Sequence, residues 1–218
     1  MPFQGAIFDL DGVIVNTVPL HFKAWKKMFG EYGREFTFED YKNKVDGIPR
    51  TNGARAVLTD LSDAELERAD AKKQDYFLQF LAQEGIEVYQ SSLDLVKELR
   101  KKKIKTAVIS SSKNCLPILK KAKIDYLFEV IITGADVKIG KPAPDIFLLA
   151  SKKLALSPQD CIVFEDALLG VEAAKRGHFI CIGVDRYQHP QRLAKADLVI
   201  SDLAQVNLNQ LRKMLPIK

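Results

Sequence analysis

Two carboxylates near the N-terminus have the spacing best suited to chemistry. Asp9 and Asp11 stand two positions apart and are followed by Gly12, which would allow a sharp turn or the close approach of a ligand. The apolar run at 6–8 predicts a strand buried on both faces, as in a parallel sheet. Ligands of open α/β sheets bind just beyond the carboxyl ends of the strands, where this pair would lie. A divalent cation would offset the repulsion between the carboxylates; the alternative is a polar turn at the mouth of the sheet.

Further polar residues follow other predicted strands. Ser110 ends the second strand, Glu165 and Asp166 end the fourth, and Lys141 follows the third through a loop. Because the carboxyl ends of parallel strands share one edge of a sheet, these groups are expected to converge. Oxygen-only ligation suits Mg²⁺. The lysine and the hydroxyl would then hold an anion, most simply a phosphoryl group.

This combination of groups predicts phosphoryl transfer. Asp9 directly ends its strand and is the better-fixed nucleophile, able to form an aspartyl-phosphate. Asp11 could exchange a proton with the leaving or attacking hydroxyl. Lys141 and Mg²⁺ would stabilise the charge on the transferring group, and Ser110 with nearby backbone N–H groups would bind its oxygens.

The elements that must position these residues alternate from residue 91 onward. Helices are predicted over 92–102, 114–122, 144–154 and 168–176, and strands over 106–109, 130–132, 161–164, 180–184 and 198–200. Repeated strand and helix units predict a Rossmann-like α/β fold, a parallel sheet with helices on both faces.

A different pattern separates the first strand from the second. An amphipathic helix is predicted over 17–32, and further helical sequence runs over 37–84 with a turn at 46–49. Nearly 70 helical residues are too many for an ordinary crossover. We therefore expect an inserted all-α helical module at 16–88, and a core domain formed by 1–15 and 89–218.

Composition excludes several classes of partner. The net charge of +5 arises from lysines and arginines spread along the chain, a mild bias toward anionic ligands and not the clustered stripe of a nucleic-acid binder. No apolar run approaches the roughly 18 residues of a membrane span, and no signal peptide is expected at the N-terminus. Three cysteines without metal-ligand spacing favour buried free thiols in a reducing cytoplasm. A monomer is expected.

The core motifs together resemble a known family. Their order and spacing resemble the haloacid dehalogenase superfamily of phosphotransferases over essentially the whole chain, through Asp9-x-Asp11-Gly12-Val13, Ser110, Lys141-Pro142-x-Pro144-Asp145 and Glu165-Asp166. The resemblance implies that Asp9 and Asp166 give carboxylate oxygens to Mg²⁺. It also implies that Asp11 gives its backbone carbonyl and that Glu165 supports the metal.

The inserted module is similar to the cap domain of the β-phosphoglucomutase subgroup. The matching residues are 21–25, 45–50, Lys73 and 110–114. The resemblance implies that His21, Arg50 and Lys73 face the active site from the cap and that Arg50 grips the distal phosphate of the substrate. The substrate-binding set is then His21, Trp25, Gly47, Arg50, Lys73, Ser110, Ser111, Ser112, Lys113 and Asn114.

From the residues alone, the cap assignments have plain alternatives. Arg50 follows a turn and could present a bidentate fork to a phosphate, or lie in solvent. His21 could be an ordinary interface histidine, Lys73 a solvated lysine on a helix, and Trp25 a core residue instead of a sugar-stacking platform.

Two departures from the family pattern affect the linker and the substrate loop. Asn16-Thr17 stands where the family often has Asp-Thr, so position 16 keeps hydrogen bonds without a charge. Thr17 is expected to cap the first helix of the module or to serve the hinge. Asp46 and Pro49 lie on the loop that should read the sugar, so sugar specificity does not carry over.

Three functions remain open. A β-phosphoglucomutase-like enzyme would convert β-glucose 1-phosphate to glucose 6-phosphate through phospho-Asp9, with water kept out by a closed cap. A sugar-phosphate phosphatase would use the same residues with water as the acceptor. A non-catalytic sugar-phosphate binder is the third, disfavoured because every carboxylate is retained.

Overall fold

The computed structural model describes residues 3–45 and 50–215. The chain divides into two compact units. Met1–Asn16 and Glu87–Lys218 form the core unit, and Thr17–Ile86 form the helical unit. The sequence places the inserted module at 16–88.

The strands are β1 (Gly5–Asp9), β2 (Val15–Asn16), β3 (Glu87–Val88), β4 (Lys105–Ser110), β5 (Val130–Thr133), β6 (Cys161–Glu165), β7 (Ile180–Val184) and β8 (Leu198–Ile200). The helices are α1 (Val18–Glu31), α2 (Phe38–Asp40), α3 (Arg50–Val57), α4 (Asp63–Glu84), α5 (Gln90–Lys101), α6 (Cys115–Ala122), α7 (Asp145–Lys153), α8 (Leu168–Arg176) and α9 (Leu208–Met214).

The core unit contains a parallel sheet, as predicted. Within the described ranges, six strands form it in the order β5-β4-β1-β6-β7-β8. The unbroken apolar runs follow from burial on both faces, and every residue of β1 is buried. One face packs against α7 and α8 through a cluster that includes Ile7, Val163, Phe147 and Val171. The opposite face is also covered, since α5 packs on β4 and the Phe8 ring stacks on Phe164 with centroids 4.6 Å apart.

The register of the sheet sets the height of the polar strand ends. Asp9 pairs with Ile109, so Ser110 lies one residue beyond it. Phe8 pairs with Phe164, which places Glu165 level with Asp9 across the β1–β6 ladder. Because β1 lies between β4 and β6 and the three strands pair in this register, their carboxyl ends meet at one edge of the sheet.

The helical unit has its own core. Helix α1 packs on α4, and the buried cluster includes Trp25, Met28, Phe29 and Leu66. Thr37 with Asp40 and Ser62 with Glu65 form capping boxes at the starts of α2 and α4. Helix α2 continues as a π-helix over Tyr41–Val45. The predicted turn at 46–49 lies outside the described residues.

Some features of the fold were not predicted. Strands β2 and β3 pair antiparallel through Val15↔Val88 and Asn16↔Glu87, and two-residue strands are too short to show a periodicity. Helix α9 was also missed. The helical sequence before residue 84 has a second break, between α3 and α4, where the Ser62 cap starts a new helix.

The capping role expected for Thr17 is wrong. Thr17 occupies the N-cap position of α1, but its side chain makes no capping hydrogen bond and its backbone is already in the right-handed helical region. A capping side chain accepts from the second or third helical N–H. Pro19 holds the second position of α1 and has no N–H to donate.

The cysteines are free and buried, as the composition predicts. None of the helices in the described part of the chain combines the length and the apolar character needed to span a membrane.

Candidate active site

Three carboxylates converge at the carboxyl edge of the sheet. Asp9, Glu165 and Asp166 each offer one oxygen, and these oxygens lie within 4.8 Å of one another. Asp9 ends β1 and Glu165 ends β6, so neighbouring strands fix two of the three groups. The predicted convergence of these strand ends is observed, and the roles of the residues remain predictions.

Lys141 places a cation inside this cluster. Its Nζ donates to Asp9 Oδ1 at 2.5 Å and to Glu165 Oε2 at 2.8 Å, and its side chain is only 10% exposed. Burial acts to lower the pKa of Lys141, but the two carboxylates outweigh it and raise the pKa above its usual value. The group is therefore a permanent cation, in contact with Asp9.

The carboxylates outnumber this cation. Loss of hydration raises the pKa of Asp9 and of Asp166 well above the ordinary value, and the Glu165 charge raises both further. Lys141 acts in the opposite direction without cancelling these effects. An excess of buried negative charge on oxygen donors alone fits a hard divalent cation such as Mg²⁺. The three carboxylates could therefore hold a metal ion together, and direct ligation by Asp9 and Asp166 remains a prediction.

Glycines allow this close packing. Gly12 has a φ of +75°, and a Cβ there would lie 1.9 Å from Asp166 Oδ2. A Cβ on Gly170 would lie 2.1 Å from the Glu165 carboxylate carbon, and the Ala167 N–H donates to Glu165 Oε1 at 3.0 Å. The need for Gly170 was not predicted, because only the packing of α8 on the end of β6 reveals it.

The Asp11 carboxylate lies apart from the three convergent oxygens and has other partners. Ser110 Oγ donates to Asp11 Oδ2 at 2.8 Å, and the Asp11 N–H donates to Asp9 Oδ2 at 2.9 Å. One predicted acid/base group thus holds the predicted nucleophile through its backbone. A metal contact of Asp11 through its carbonyl remains a prediction.

The segment predicted to bind the transferring phosphate forms a turn before α6. Ser112 N–H donates to Ser110 Oγ at 3.0 Å, and Asn114 N–H donates to Ser112 Oγ at 3.1 Å. Asn114 is buried at the N-cap position of α6, whereas Ser111 and Lys113 are exposed. The Ser111 carbonyl packs on Gly134, where a Cβ would lie 2.1 Å away, so the turn and the β5 loop fit closely.

The helical unit gathers the other predicted residues. Lys73 Nζ lies 2.9 Å from His21 Nδ1 and 5.0 Å from the centre of the Trp25 ring. Since an ammonium group only donates, the Nδ1 atom accepts and His21 carries its proton on Nε2. The His21 ring stacks on Phe77 with centroids 4.4 Å apart. The Trp25 side chain lies in the core of the unit and is 4% exposed. Gly47, the remaining predicted substrate contact, lies outside the described residues.

Two residues that hold Arg50 were missed by sequence reasoning. Arg50 donates to Gln74 Oε1 at 2.5 Å, and its Nε lies 3.7 Å from Asp70 Oδ2. The Arg50 side chain remains 40% exposed. Asp70, Lys73 and Gln74 follow a three- and four-residue spacing on α4, a pattern that could have indicated one polar face.

The environment of His21 predicts a pH-dependent stability of the helical unit. Desolvation lowers the pKa of His21 well below its ordinary value, and the charges of Lys73 and Arg50 lower it further. Between the unfolded and folded pKa values the unfolded chain binds more protons, so stability present near pH 7.5 is lost as the pH falls. We expect thermal unfolding, followed by fluorescence of the single tryptophan Trp25, to occur at lower temperature at pH 5.5.

Two histidine variants test whether His21 causes this pH dependence. His21→Gln keeps an acceptor for Lys73 and should flatten the pH dependence of the unfolding temperature. His189→Gln, at an exposed position of the core unit, should leave it unchanged. Equal flattening in both variants would contradict the assignment.

Comparison with known proteins gives a consistent family. Residues 3–178 match the haloacid dehalogenase-like hydrolase family. A β-phosphoglucomutase of Mycobacterium tuberculosis is 32% identical over 238 residues, covering 93% of this chain and 91% of that protein. A phosphorylated carbohydrates phosphatase of Thermotoga maritima is 33% identical over 180 residues, covering 79% of this chain and 80% of that protein.

A solved structure supports the same family assignment. The crystal structure of a β-phosphoglucomutase from Clostridium difficile superposes with a TM-score of 0.85 at 27% identity, covering 97% of this chain and 96% of that one. With the strand-end carboxylates and the buried lysine described above, the chain belongs to the haloacid dehalogenase-like hydrolase family of enzymes, in the group that includes the β-phosphoglucomutases.

Proposed function

We propose that this enzyme transfers a phosphoryl group on a small sugar phosphate through an aspartyl-phosphate at Asp9, with Mg²⁺ as cofactor. The observation that carries the proposal is the fixation of the Asp9 carboxylate. One oxygen accepts from Lys141 and the other from the Asp11 N–H. A nucleophile fixed at both oxygens loses little freedom when it attacks.

The residues support a two-step reaction. A carboxylate oxygen of Asp9 bonds to phosphorus while the bond from phosphorus to the sugar oxygen breaks, and Asp11 gives that oxygen a proton. In the second step an acceptor hydroxyl attacks the phosphorus of phospho-Asp9 and gives its proton to Asp11, while the bond from phosphorus to the Asp9 oxygen breaks and the free carboxylate returns. Lys141 offsets negative charge on the transferring group, and Ser110 orients Asp11. When bound by Asp9 and Asp166, Mg²⁺ supplies further neutralisation of the phosphoryl oxygens.

The finer proposal is a phosphomutase that converts β-glucose 1-phosphate to glucose 6-phosphate. Support comes from the mutase relative, which matches over 93% of this chain. The helical unit also carries an exposed arginine oriented by Gln74. A phosphomutase of this kind works through a sugar bisphosphate, so a second phosphate is present on the sugar while the first is transferred. A fixed guanidinium is suited to bind that second phosphate.

A phosphatase is the second candidate. The observation in its favour is the phosphatase relative, which matches this chain at a similar identity. The same core residues would serve, with water as the acceptor of the phosphoryl group.

One assay distinguishes the two. β-Glucose 1-phosphate is supplied with Mg²⁺ and a trace of glucose 1,6-bisphosphate, and glucose 6-phosphate and free phosphate are measured in parallel. A mutase forms glucose 6-phosphate without stoichiometric free phosphate. Free phosphate without glucose 6-phosphate would exclude the mutase, and a panel of other sugar phosphates would then identify the phosphatase substrate.

Arg50 gives a prediction specific to the mutase. Arg50→Met removes a charge-assisted contact to the distal phosphate, so glucose 6-phosphate formation should fall about 10- to 100-fold. The matched control is Arg55→Met on the same helix, whose guanidinium pairs with the exposed Asp63. Steady-state kinetics should place the Arg55 variant within about twofold of wild type. Equal effects in the two variants would remove Arg50 from the substrate-binding set.

A further inference from the structure

The loop after the predicted nucleophile is held through its backbone carbonyls. Three consecutive carbonyls of this loop accept hydrogen bonds from parts of the core unit that are distant in the chain. The bonds run from Arg186 Nε to Gly12 O at 2.8 Å, from Ser92 Oγ to Val13 O at 2.6 Å, and from Tyr89 N to Ile14 O at 3.0 Å. A backbone N–H and a short serine side chain form the bonds to Ile14 and Val13, whereas a long, charged side chain forms the bond to Gly12.

Arg186 is itself firmly fixed. Its guanidinium carbon lies 3.7 Å from the centre of the Tyr89 ring, a close cation–π contact. Its NH1 donates to the Ser201 carbonyl at 3.1 Å and lies 3.4 Å from Asp202 Oδ2. The side chain is 14% exposed, so it is not a solvated arginine at a loop end. Arg186 therefore joins the segment after β7 to the loop after β1.

Gly12 connects this arginine to the predicted catalytic groups. Asp11 lies directly before it and holds Asp9 Oδ2 through its own N–H. The Cα of Gly12 packs on the Asp166 carboxylate, where there is no room for a Cβ. Gly12 has a positive φ, and a glycine has more conformational freedom than a residue with a side chain. Its own backbone therefore does little to fix the orientation of its peptide groups. An external contact to its carbonyl can thus determine the orientation of Asp11.

We propose that Arg186 is a positioning residue that acts through the Gly12 carbonyl to hold Asp11 at its proton-transfer position. The inference rests on the proposed phosphoryl-transfer function. It assigns Arg186 no contact with substrate and no chemical step. Misplacement of a catalytic group by about 1 Å can reduce a rate on the order of 100-fold, so the loss of one anchoring bond is large enough to measure.

The test compares Arg186→Met, Arg186→Lys and Arg100→Met in the full chain. Arg100 is the matched control, because it too donates to a backbone carbonyl of the core unit, that of Leu127 at 3.0 Å. We expect Arg186→Met to lower kcat about 10- to 100-fold with KM within about threefold of wild type. Arg186→Lys keeps a donor for the Gly12 carbonyl and should recover part of kcat. Arg100→Met should keep kcat within about twofold, even where its unfolding temperature falls as far as that of Arg186→Met.

Hydrogen exchange supplies a readout that needs no turnover. Arg186→Met should accelerate exchange of the amides over residues 10–16, and Arg100→Met should not. Unchanged exchange there, a kcat within twofold of wild type, or no recovery in Arg186→Lys would overturn the inference. Absence of phosphoester turnover in the wild type would instead refute the proposed function, and the exchange data would still decide whether Arg186 holds the loop.

Discussion

Asp9→Asn is expected to reduce phosphoryl transfer by at least about 10⁴-fold, since a neutral amide oxygen cannot form the aspartyl-phosphate. The substitution keeps the size of the side chain and an acceptor for Lys141. Brief incubation with ³²P-labelled substrate followed by acid quench should label the wild-type protein and leave the variant unlabelled. Label on the variant would show that another residue is the nucleophile.

The fold of this variant should be intact. Because burial and neighbouring charge raise the pKa of Asp9, its ionised form is unfavourable in the metal-free folded state. A neutral amide relieves this penalty, so the unfolding temperature without metal at pH 7.5 should equal or exceed that of wild type. Asp160→Asn is the matched control, since Asp160 is a buried aspartate directly before β6, at the opposite edge of the sheet. It should keep turnover within about threefold.

Lys141→Met is expected to lower kcat/KM about 100- to 1,000-fold at neutral pH, the usual effect of removing one charge-stabilising donor from an active site. Two negatively charged groups lose their shared partner, since Asp9 and Glu165 both accept from this ammonium. The kinetics should be measured at saturating Mg²⁺ so that weakened metal binding does not account for the loss.

The pH dependence of kcat/KM in Lys141→Met should also change, in a direction that the contact with Asp9 predicts. Lys141 lowers the pKa of Asp9, and the proposed nucleophile would have to be ionised to attack. Without the lysine the pKa of Asp9 rises, so the acid limb of kcat/KM should move to higher pH. Lys105→Met is the control. Lys105 lies at the amino end of β4, away from the carboxylates, and donates to the Leu154 carbonyl. An acid limb that stays in place or moves to lower pH in Lys141→Met would contradict the assigned contact.

The sequence by itself determined the strands of the main sheet and the edge at which their polar residues meet. Apolar runs marked the strands, and the polar residues after them, Asp9, Ser110 and Glu165 among them, could be assigned to one edge because parallel strands end together. Such local patterns carry information about an element and about the position where it ends. They also separated the helical insertion from the α/β core, since its length exceeds any ordinary crossover.

Only the tertiary structure decided which groups touch. Arg186 and Gly12 are 174 positions apart, and no periodicity connects them. The same holds for Asn16, whose amide donates to Glu87 at 2.8 Å across the β2–β3 ribbon, and for the partners of Arg50 on α4. Hydrogen bonds form at about 3 Å between specific atoms, so they depend on strand register and helix packing, which the order of residue types does not encode locally.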